Sequence, residues 1–356
     1  MTSLLEPKPN RPLNVGAGTA QTLRRLWAIP ATRALVALLF VLLIGCVFNA
    51  QGAFFKLGTH RDALRQASVF GILACGLTLV IISGGIDLAV GSVLALVAVS
   101  FSLMSIHWGW SAWLAIPASL LLGAACGALS GTVTAWFGIQ PFIATLAMMV
   151  FARGLAKTVS GGMKVSTIIQ DAGGSFHQAP VPAIFDFINS SILKTADAAG
   201  HVRGNLAVVT VIFLICAAVC WLALSQHVWG RHLYAIGGNE EAARLSGVAV
   251  RKAKILAYAA SGLMAAVAGI CQAAQEQQGD PEAGIGYELT AIAIVVIGGT
   301  TLTGGRGGIG LTLLGTLTIG YLEKILSINA VPEASRLMLT GAIIVVAVLA
   351  QRKGSR

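Results

Sequence analysis

Residues 230–254 read GRHLYAIGGNEEAARLSGVAVRKAK, a polar and charged stretch that separates two long apolar runs. Within it, Asn239 is suited to cap a short helix, because its side-chain oxygen can accept hydrogen bonds from first-turn N–H groups. Glu240 and Glu241 follow where the helix dipole favours negative charge, and Gly247 suits a left-handed helix stop. A helix of about two turns is not stable alone in water. We therefore expect it to be docked and gripped by a partner protein, the alternative being an ordinary loop.

The composition is that of a membrane protein. The chain has 356 residues, of which 56% are hydrophobic and only 11% charged, whereas soluble domains carry about 25% charged residues. The formal net charge is +10, but the basic residues lie at the ends of apolar runs, as membrane orientation requires. We therefore expect an all-α integral membrane protein that binds the lipid bilayer and no nucleic acid.

Ten apolar runs approach the length of about 20 residues that crosses the hydrocarbon core. A count of eight or nine stays open, because the glycine-rich breaks described below could be re-entrant. The predicted spans are 34–50, 65–83, 87–106, 112–136, 139–156, 206–225, 255–274, 287–299, 308–326 and 336–350. They lie in a transmembrane domain, 31–350, between tails at 1–30 and 351–356, with long polar connections at 157–205 and 226–254.

The basic residues predict the orientation of these spans. The connections on one side hold 14 of the 24 basic residues but only three of the 14 acidic residues. Because basic loops are retained in the cytoplasm, we expect this side to be cytoplasmic. It includes both termini and the connection 226–254, and the connection 157–205 is then expected outside.

The stretch SGGIDLAVGS, residues 83–92, interrupts an otherwise continuous apolar region. Gly84 and Gly85 weaken the helix, and Asp87 is ionisable at membrane depth. Such a residue costs about 2.5–3.5 kcal/mol on insertion scales and faces a cavity or a partner. Two compatible interpretations follow: Asp87 caps the helix that restarts after it, or it lines a solute pathway together with Ser92.

A second break, IGGTTLTGGRGGIG, covers residues 297–310 and includes Gly298, Gly299 and Thr300. It contains the G-x-G-x-x-G spacing of dinucleotide-binding folds, but a membrane-length apolar run follows it and no strand–helix–strand pattern surrounds it. We therefore reject that function. Paired glycine-interrupted spans in the two halves of a chain point instead to a transport pathway.

A third feature is GIQPFIATLA, residues 138–147. Pro141 suits the first turn of a helix, and Gln140 and Thr145 offer hydrogen bonds near one end of the fifth span. The alternative is a helix start without further function. Neutral polar groups of this kind suit a neutral, hydroxyl-rich solute better than an ion.

Several functions are disfavoured by what the sequence lacks. It contains no phosphate-binding G-x-x-x-x-G-K-[ST] motif, so we do not expect this chain to hydrolyse ATP. It shows no catalytic arrangement at membrane depth and no metal-ligand spacing, so we expect neither an enzyme nor a bound cofactor. Two other transport functions stay open: an ion-coupled secondary transporter of a small polar solute that uses Asp87, and a passive channel.

Four motifs occur together in the chain: GGIDLAVGS, IQPFIATLAMMVFARG, YAIGGNEEAARLSGV and IGGTTLTGGRGG. In this order they resemble the permease subunits of ribose-type monosaccharide ABC importers, over about residues 62–348. The resemblance implies a bacterial inner-membrane permease with the ABC importer permease fold, which carries a pentose or hexose by alternating access. The chain departs from the family in its first thirty residues and at 165–203, which leaves the specificity of a binding protein open.

The resemblance also implies partners. Two permeases, identical or paralogous, form the core, an ATPase subunit that holds ATP and Mg binds the cytoplasmic face, and a periplasmic sugar-binding protein delivers the sugar. The permease itself is not an enzyme. The residues that the resemblance assigns to ATPase coupling are Gly238, Asn239, Glu240, Ala242, Ala243, Ser246 and Gly247, and the predicted short helix adds Glu241 and Arg244.

Overall fold

A computed structural model describes residues 29–170, 175–196 and 202–353. Residues 1–28 of the predicted N-terminal tail and 354–356 of the predicted C-terminal tail lie outside the described residues. So do 171–174 and 197–201 within the long connection predicted at 157–205.

The described residues form thirteen α-helices and two small hairpins. The helices are α1 (Pro30–Val47), α2 (Leu57–Ile82), α3 (Val90–Ser102), α4 (Ala112–Phe137), α5 (Pro141–Ser160), α6 (Ala183–Asn189), α7 (Val208–Ser225), α8 (Val228–Gly238), α9 (Glu240–Leu245), α10 (Val250–Glu276), α11 (Tyr287–Gly298), α12 (Ile309–Ile328) and α13 (Glu333–Lys353). A π-helical segment, Leu103–His107, continues α3. The antiparallel hairpins pair β1 (Ile168–Gln170) with β2 (Phe176–Gln178), and β3 (Ser191–Ala196) with β4 (Val202–Ala207).

The predicted all-α membrane fold is confirmed, and each of the ten predicted spans falls on a helix. Among the described helices, eight are long and apolar enough to cross a membrane, and the helices at the predicted spans 287–299 and 336–350 are not among these eight. The predicted span at 287–299 is different, because α11 has only 12 residues. At a rise of 1.5 Å per residue it extends about 18 Å, which is shorter than the roughly 30 Å hydrocarbon core. It stops where Gly299 adopts a left-handed conformation with φ +110°.

Two helices form the centre of the bundle. The apolar segments of α2 and α3 are 83% buried, whereas those of α1 and α5 are 22% buried. A helix that is hydrophobic on all sides is buried by protein or lipid, and here α10 packs against both central helices. On the other side, α12 packs against α1, α2 and α11.

The contact between α4 and α10 depends on glycines at every fourth position of α4: Gly123, Gly127 and Gly131. A Cβ atom added to Gly127 would lie 2.1 Å from the carbonyl oxygen of Tyr258, and one added to Gly123 would lie 2.5 Å from that of Gly262. The two backbones therefore touch directly. Close packing of small residues is a main source of helix association in membranes.

The bundle has two ends, which we name after the elements there. The α9 face carries α8, α9 and the two glycine-rich breaks. Helix α10 starts beside α9 and, with 27 residues, extends about 40 Å. Its other end marks the far face, which carries the loop 277–286 and the start of α13.

Candidate functional site

The short helix predicted in the polar stretch is confirmed as α9. The Asn239 Oδ1 atom accepts a hydrogen bond from the Ala242 N–H at 3.0 Å. Gly247 ends the turn in a left-handed conformation with φ +84°. The Arg244 side chain lies 2.6 Å from Glu241, and this partner raises the pKa of the guanidinium above its ordinary value. The positive charge of Arg244 therefore persists on the exposed side of α9.

Helix α9 is docked on the chain's own neighbouring helices. Ala243 is buried against the core, and the Lys254 ammonium lies 2.5 Å from the Glu240 carboxylate, which joins α9 to α10. On α8, the Trp229 indole N–H donates to the Ala253 carbonyl at 3.1 Å. A displacement of α9 would therefore be transmitted to α8 and α10.

Leu245 belongs to the predicted helix but was not among the predicted coupling residues. Leu245 is 80% exposed, although it belongs to a helix whose opposite side is buried. A single exposed leucine is ordinary, but this one lies beside the charged Glu241 and Arg244 on the tip of a docked helix. An apolar residue between charges in a polar stretch is the signal that could have identified it.

The two predicted breaks and the end of α8 meet at a contact we call the glycine junction, formed by Gly84, Gly237, Gly304 and Gly305. The Gly305 N–H donates to the Ile82 carbonyl at 2.9 Å. A Cβ atom added to Gly237 would lie 1.9 Å from that carbonyl oxygen and 2.4 Å from the Gly305 nitrogen. Gly84 and Gly304 have φ values of +80° and +85°. The sequence predicted both breaks but not their contact.

Asp87 fixes the turn that leads into α3. Its Oδ1 atom accepts from the Ala89 N–H at 3.0 Å, and its Oδ2 atom accepts from the Ser261 hydroxyl of α10 at 2.7 Å. The side chain is buried, so both carboxylate oxygens are directed at protein donors. The capping interpretation is wrong in detail, because α3 begins at Val90 with Ala89 as its N-cap and has no side-chain cap. Asp87 instead fixes the turn before the helix, and its pathway role stays a prediction.

The third sequence feature packs beside this loop. Helix α5 starts at Pro141, as predicted, and Gln140 is exposed in front of it. Thr145 is buried, and its hydroxyl donates to the Pro141 carbonyl at 2.9 Å and lies 3.3 Å from the Ile86 carbonyl. Ser92 is buried in the first turn of α3.

Two hydrogen bonds, one within the segment and one from α8, fix the second glycine-rich break at 297–310. Gly298 ends α11, Gly299 follows it, and the buried Thr300 accepts from the Gly308 N–H at 3.4 Å. From α8, the Tyr234 hydroxyl donates to the Gly307 carbonyl at 3.0 Å. Burial raises the pKa of this phenol, so it stays a protonated donor.

A cavity of about 360 Å³ opens near the far face between α2, α10, α11, α12 and α13. Within the described part of the chain, none of the predicted pathway residues lines it. The residues that do include Gln66 and Phe70 of α2, Gln272 and Gln275 of α10, and Tyr287 and Thr290 of α11. The sequence signal for these residues was the pair of amides three residues apart, on one face of a long apolar helix.

Comparison with known protein families identifies the chain. The family described as branched-chain amino acid transport system / permease component matches residues 61–348. The chain belongs to this permease family. The resemblance noted from the four motifs is thereby confirmed, and the protein is a transport subunit of the multi-helix membrane type.

Individual relatives cover nearly the whole permease. The ribose import permease RbsC of Escherichia coli K12 is 39% identical over 326 residues, which is 90% of this chain and 93% of the relative. The protein of the same name from Haemophilus influenzae is 37% identical, with 89% and 92% covered. The xylose transport system permease XylH of Escherichia coli K12 is 31% identical, with 88% and 90% covered. No solved structure matches the permease.

Removing the cap of α9 should loosen this helix in the permease. We expect Asn239→Ala to cost about 1 kcal/mol of local helix stability, which corresponds to roughly fivefold faster opening. Hydrogen exchange at the Ser246 amide, which donates to the Ala242 carbonyl, measures this opening. Asn239→Asp keeps the accepting oxygen and is the matched control. Equal exchange in both variants would contradict the capping role of Asn239.

Proposed function

We propose that this permease imports a monosaccharide, a pentose or hexose, across the bacterial inner membrane, driven by a separate ABC ATPase subunit that binds the α9 face. The observation that carries the proposal is the meeting of α8 with both helix breaks immediately before α9. A partner protein that displaces α9 would therefore also move both broken helices. The ribose and xylose permeases among the relatives support a sugar as the solute.

The orientation follows from charge. The α9 face carries Arg231, Arg251, Lys252 and Arg306, and the Arg251 guanidinium lies 5.2 Å above the Trp136 ring. Basic connections are retained on the cytoplasmic side. The α9 face is therefore assigned to the cytoplasm together with both chain termini, and the far face to the periplasm, where a sugar-binding protein delivers the solute.

The coupling step is a helix-in-groove contact. Exposed Glu241, Arg244 and Leu245 enter a groove of the ATPase, whose closure on ATP displaces α9. The Glu240–Lys254 ion pair and the Trp229–Ala253 hydrogen bond carry α8 and α10 along. The glycine junction then shifts the breaks before α3 and after α11, so that the solute path opens alternately to each side.

The remaining assignments concern what the permease binds. ATP and Mg belong to the ATPase, and this chain holds no cofactor of its own. A second permease, identical or paralogous, completes the transmembrane core. The lipid bilayer surrounds it, and nucleic acid is not a partner.

The first experiment is a pull-down of tagged permease in mild detergent, followed by mass spectrometry. An ABC ATPase and a sugar-binding protein should be retained, and a second permease sequence would identify a heterodimer. In Leu245→Asp we expect at least a tenfold loss of retained ATPase, because the apolar tip of α9 can no longer fill an apolar groove.

Leu57→Asp is the matched control. Leu57 is 65% exposed at the first position of α2, on the far face, where an acidic side chain is favourable at a helix N-terminus. It should retain the ATPase at the wild-type level. A wild-type permease that is isolated alone and still moves solute in liposomes would overturn the proposed function.

A further inference from the structure

The far-face cavity has the size and chemistry of a small-molecule site. Its volume of about 360 Å³ falls within the range of about 300–1,000 Å³ that is common for such sites. It lies between five helices at the end of the bundle opposite α9, where the second glycine-broken helix, α11, begins. A solute bound there would contact elements on both sides of that break.

Three glutamine amides reach the cavity from two helices: Gln66 of α2, and Gln272 and Gln275 of α10. A primary amide offers two donors and one acceptor oxygen without charge. Each hydroxyl of a sugar is likewise both donor and acceptor. Amides in the wall of a membrane protein thus match a polyhydroxylated neutral solute better than an ion.

An aromatic pair supplies the apolar part of the wall. The rings of Phe70 and Tyr287 have centroids 4.5 Å apart at an interplanar angle of 55°, and both line the cavity. The face of an aromatic ring carries negative quadrupole charge, so it packs well on the weakly positive C–H face of a sugar ring. The combination of amides with an aromatic face favours a monosaccharide over a purely polar solute.

One amide is left without a hydrogen-bond partner. The Gln275 Nε2 atom is buried and has none among the described residues, whereas Gln272 donates to Glu276 at 2.5 Å. Buried polar atoms are normally satisfied by protein or water. The unpaired Nε2 atom of Gln275 is therefore suited to donate a hydrogen bond to an acceptor atom of a bound ligand.

The charges at the cavity mouth offset one another in part. The Arg336 guanidinium of α13 lies 3.8 Å from the Glu323 carboxylate of α12. This pair connects the helices on either side of the opening. Glu333 also lines the cavity, so one further carboxyl group is present, and its oxygens can accept hydrogen bonds from the hydroxyls of a sugar.

We propose that the far-face cavity is a monosaccharide-binding site within the permease, in which Gln275 and Gln66 hydrogen-bond the sugar and the Phe70–Tyr287 pair packs on its ring. This proposal rests on the proposed sugar import. It names the permease's own contribution to solute recognition, separate from that of the binding protein. It also locates the solute against α11, the helix whose break reaches the glycine junction.

The test uses the complete transporter in proteoliposomes, with the radiolabelled sugar that the wild type imports fastest among D-ribose, D-xylose and D-galactose. Gln275→Leu keeps the size of the side chain and removes one hydrogen bond to the sugar, so uptake per ATP hydrolysed should fall about tenfold. Because Nε2 is unsatisfied in the free protein, the Tm of this variant should stay equal or rise. Gln66→Leu changes the part of the cavity wall formed by α2 and should also lower uptake.

The matched control is Gln51→Leu, which changes an exposed glutamine in the loop after α1 and should leave uptake unchanged. Wild-type uptake in Gln275→Leu with ATP hydrolysis intact would overturn the cavity site alone. A fall in uptake that parallels a fall in Tm would assign Gln275 a structural role and also overturn it. If the wild-type complex imports none of the three sugars, both the cavity site and the proposed function fail.

Discussion

Gly237→Ala should destabilise the permease by about 3 kcal/mol, the upper end of the usual range for an overpacked site. The added methyl group would lie 1.9 Å from the Ile82 carbonyl oxygen. Backbone atoms surround it, so no side chain can rotate away. Relief requires separating α8 from the Gly305–Ile82 hydrogen bond, which adds about 0.5–1.5 kcal/mol. Thermal unfolding in detergent, together with the yield of monodisperse protein, measures the effect.

The neighbouring glycine provides a control in the same helix. A Cβ atom added to Gly238 meets no atom within 4 Å, so Gly238→Ala should be neutral or slightly stabilising, since alanine favours helix more than glycine does. If the glycine junction is tightly packed, the Tm of Gly237→Ala should be much lower than that of Gly238→Ala. Equal Tm values for the two variants would show that the backbones separate easily at Gly237.

Asp87→Ala should be the second most damaging substitution. It removes the acceptor of both the Ala89 N–H and the Ser261 hydroxyl, and a buried donor without a partner costs about 1–3 kcal/mol. We expect a lower Tm and a loss of most transport-competent protein. Asp186→Ala, at an exposed aspartate, should change stability by less than about 0.5 kcal/mol.

Asp87→Asn separates a structural role from ion coupling. The amide keeps an accepting oxygen for the Ala89 N–H but cannot ionise, so we expect at least half of wild-type uptake, unaffected by a protonophore. If uptake is abolished while folding and ATP hydrolysis persist, the charge of Asp87 takes part in transport. That outcome would support the ion-coupled alternative.

Local patterns were sufficient to predict much of the molecule. The cap at Asn239 and the left-handed stop at Gly247 depend on neighbours within a few residues, so the sequence alone predicted α9 correctly. The breaks at Gly84 and Gly299 were predicted for the same reason. The apolar runs predicted the helices, although periodicity could not show that α11 is too short to cross the membrane.

What the sequence did not predict depends on contacts between distant segments. Gly237 lies inside a helix and has no unusual neighbour in sequence, yet it touches residues from both breaks. Gln66 and Gln275 are more than two hundred positions apart and share a cavity wall only because α2 packs against α10. The spacing of Gln272 and Gln275 places two amides on one helix face, but no local pattern shows that Gln66 of another helix lies near them.

The glycine junction limits which second mutations can restore a damaged permease. When two side chains touch, a mutation that enlarges one can be compensated by another that shrinks its partner. Where two main chains touch directly, this compensation is not possible, because glycine is already the smallest residue on each side. A genetic screen that starts from Gly237→Ala should therefore recover true revertants to glycine far more often than second-site suppressors in the adjoining loops.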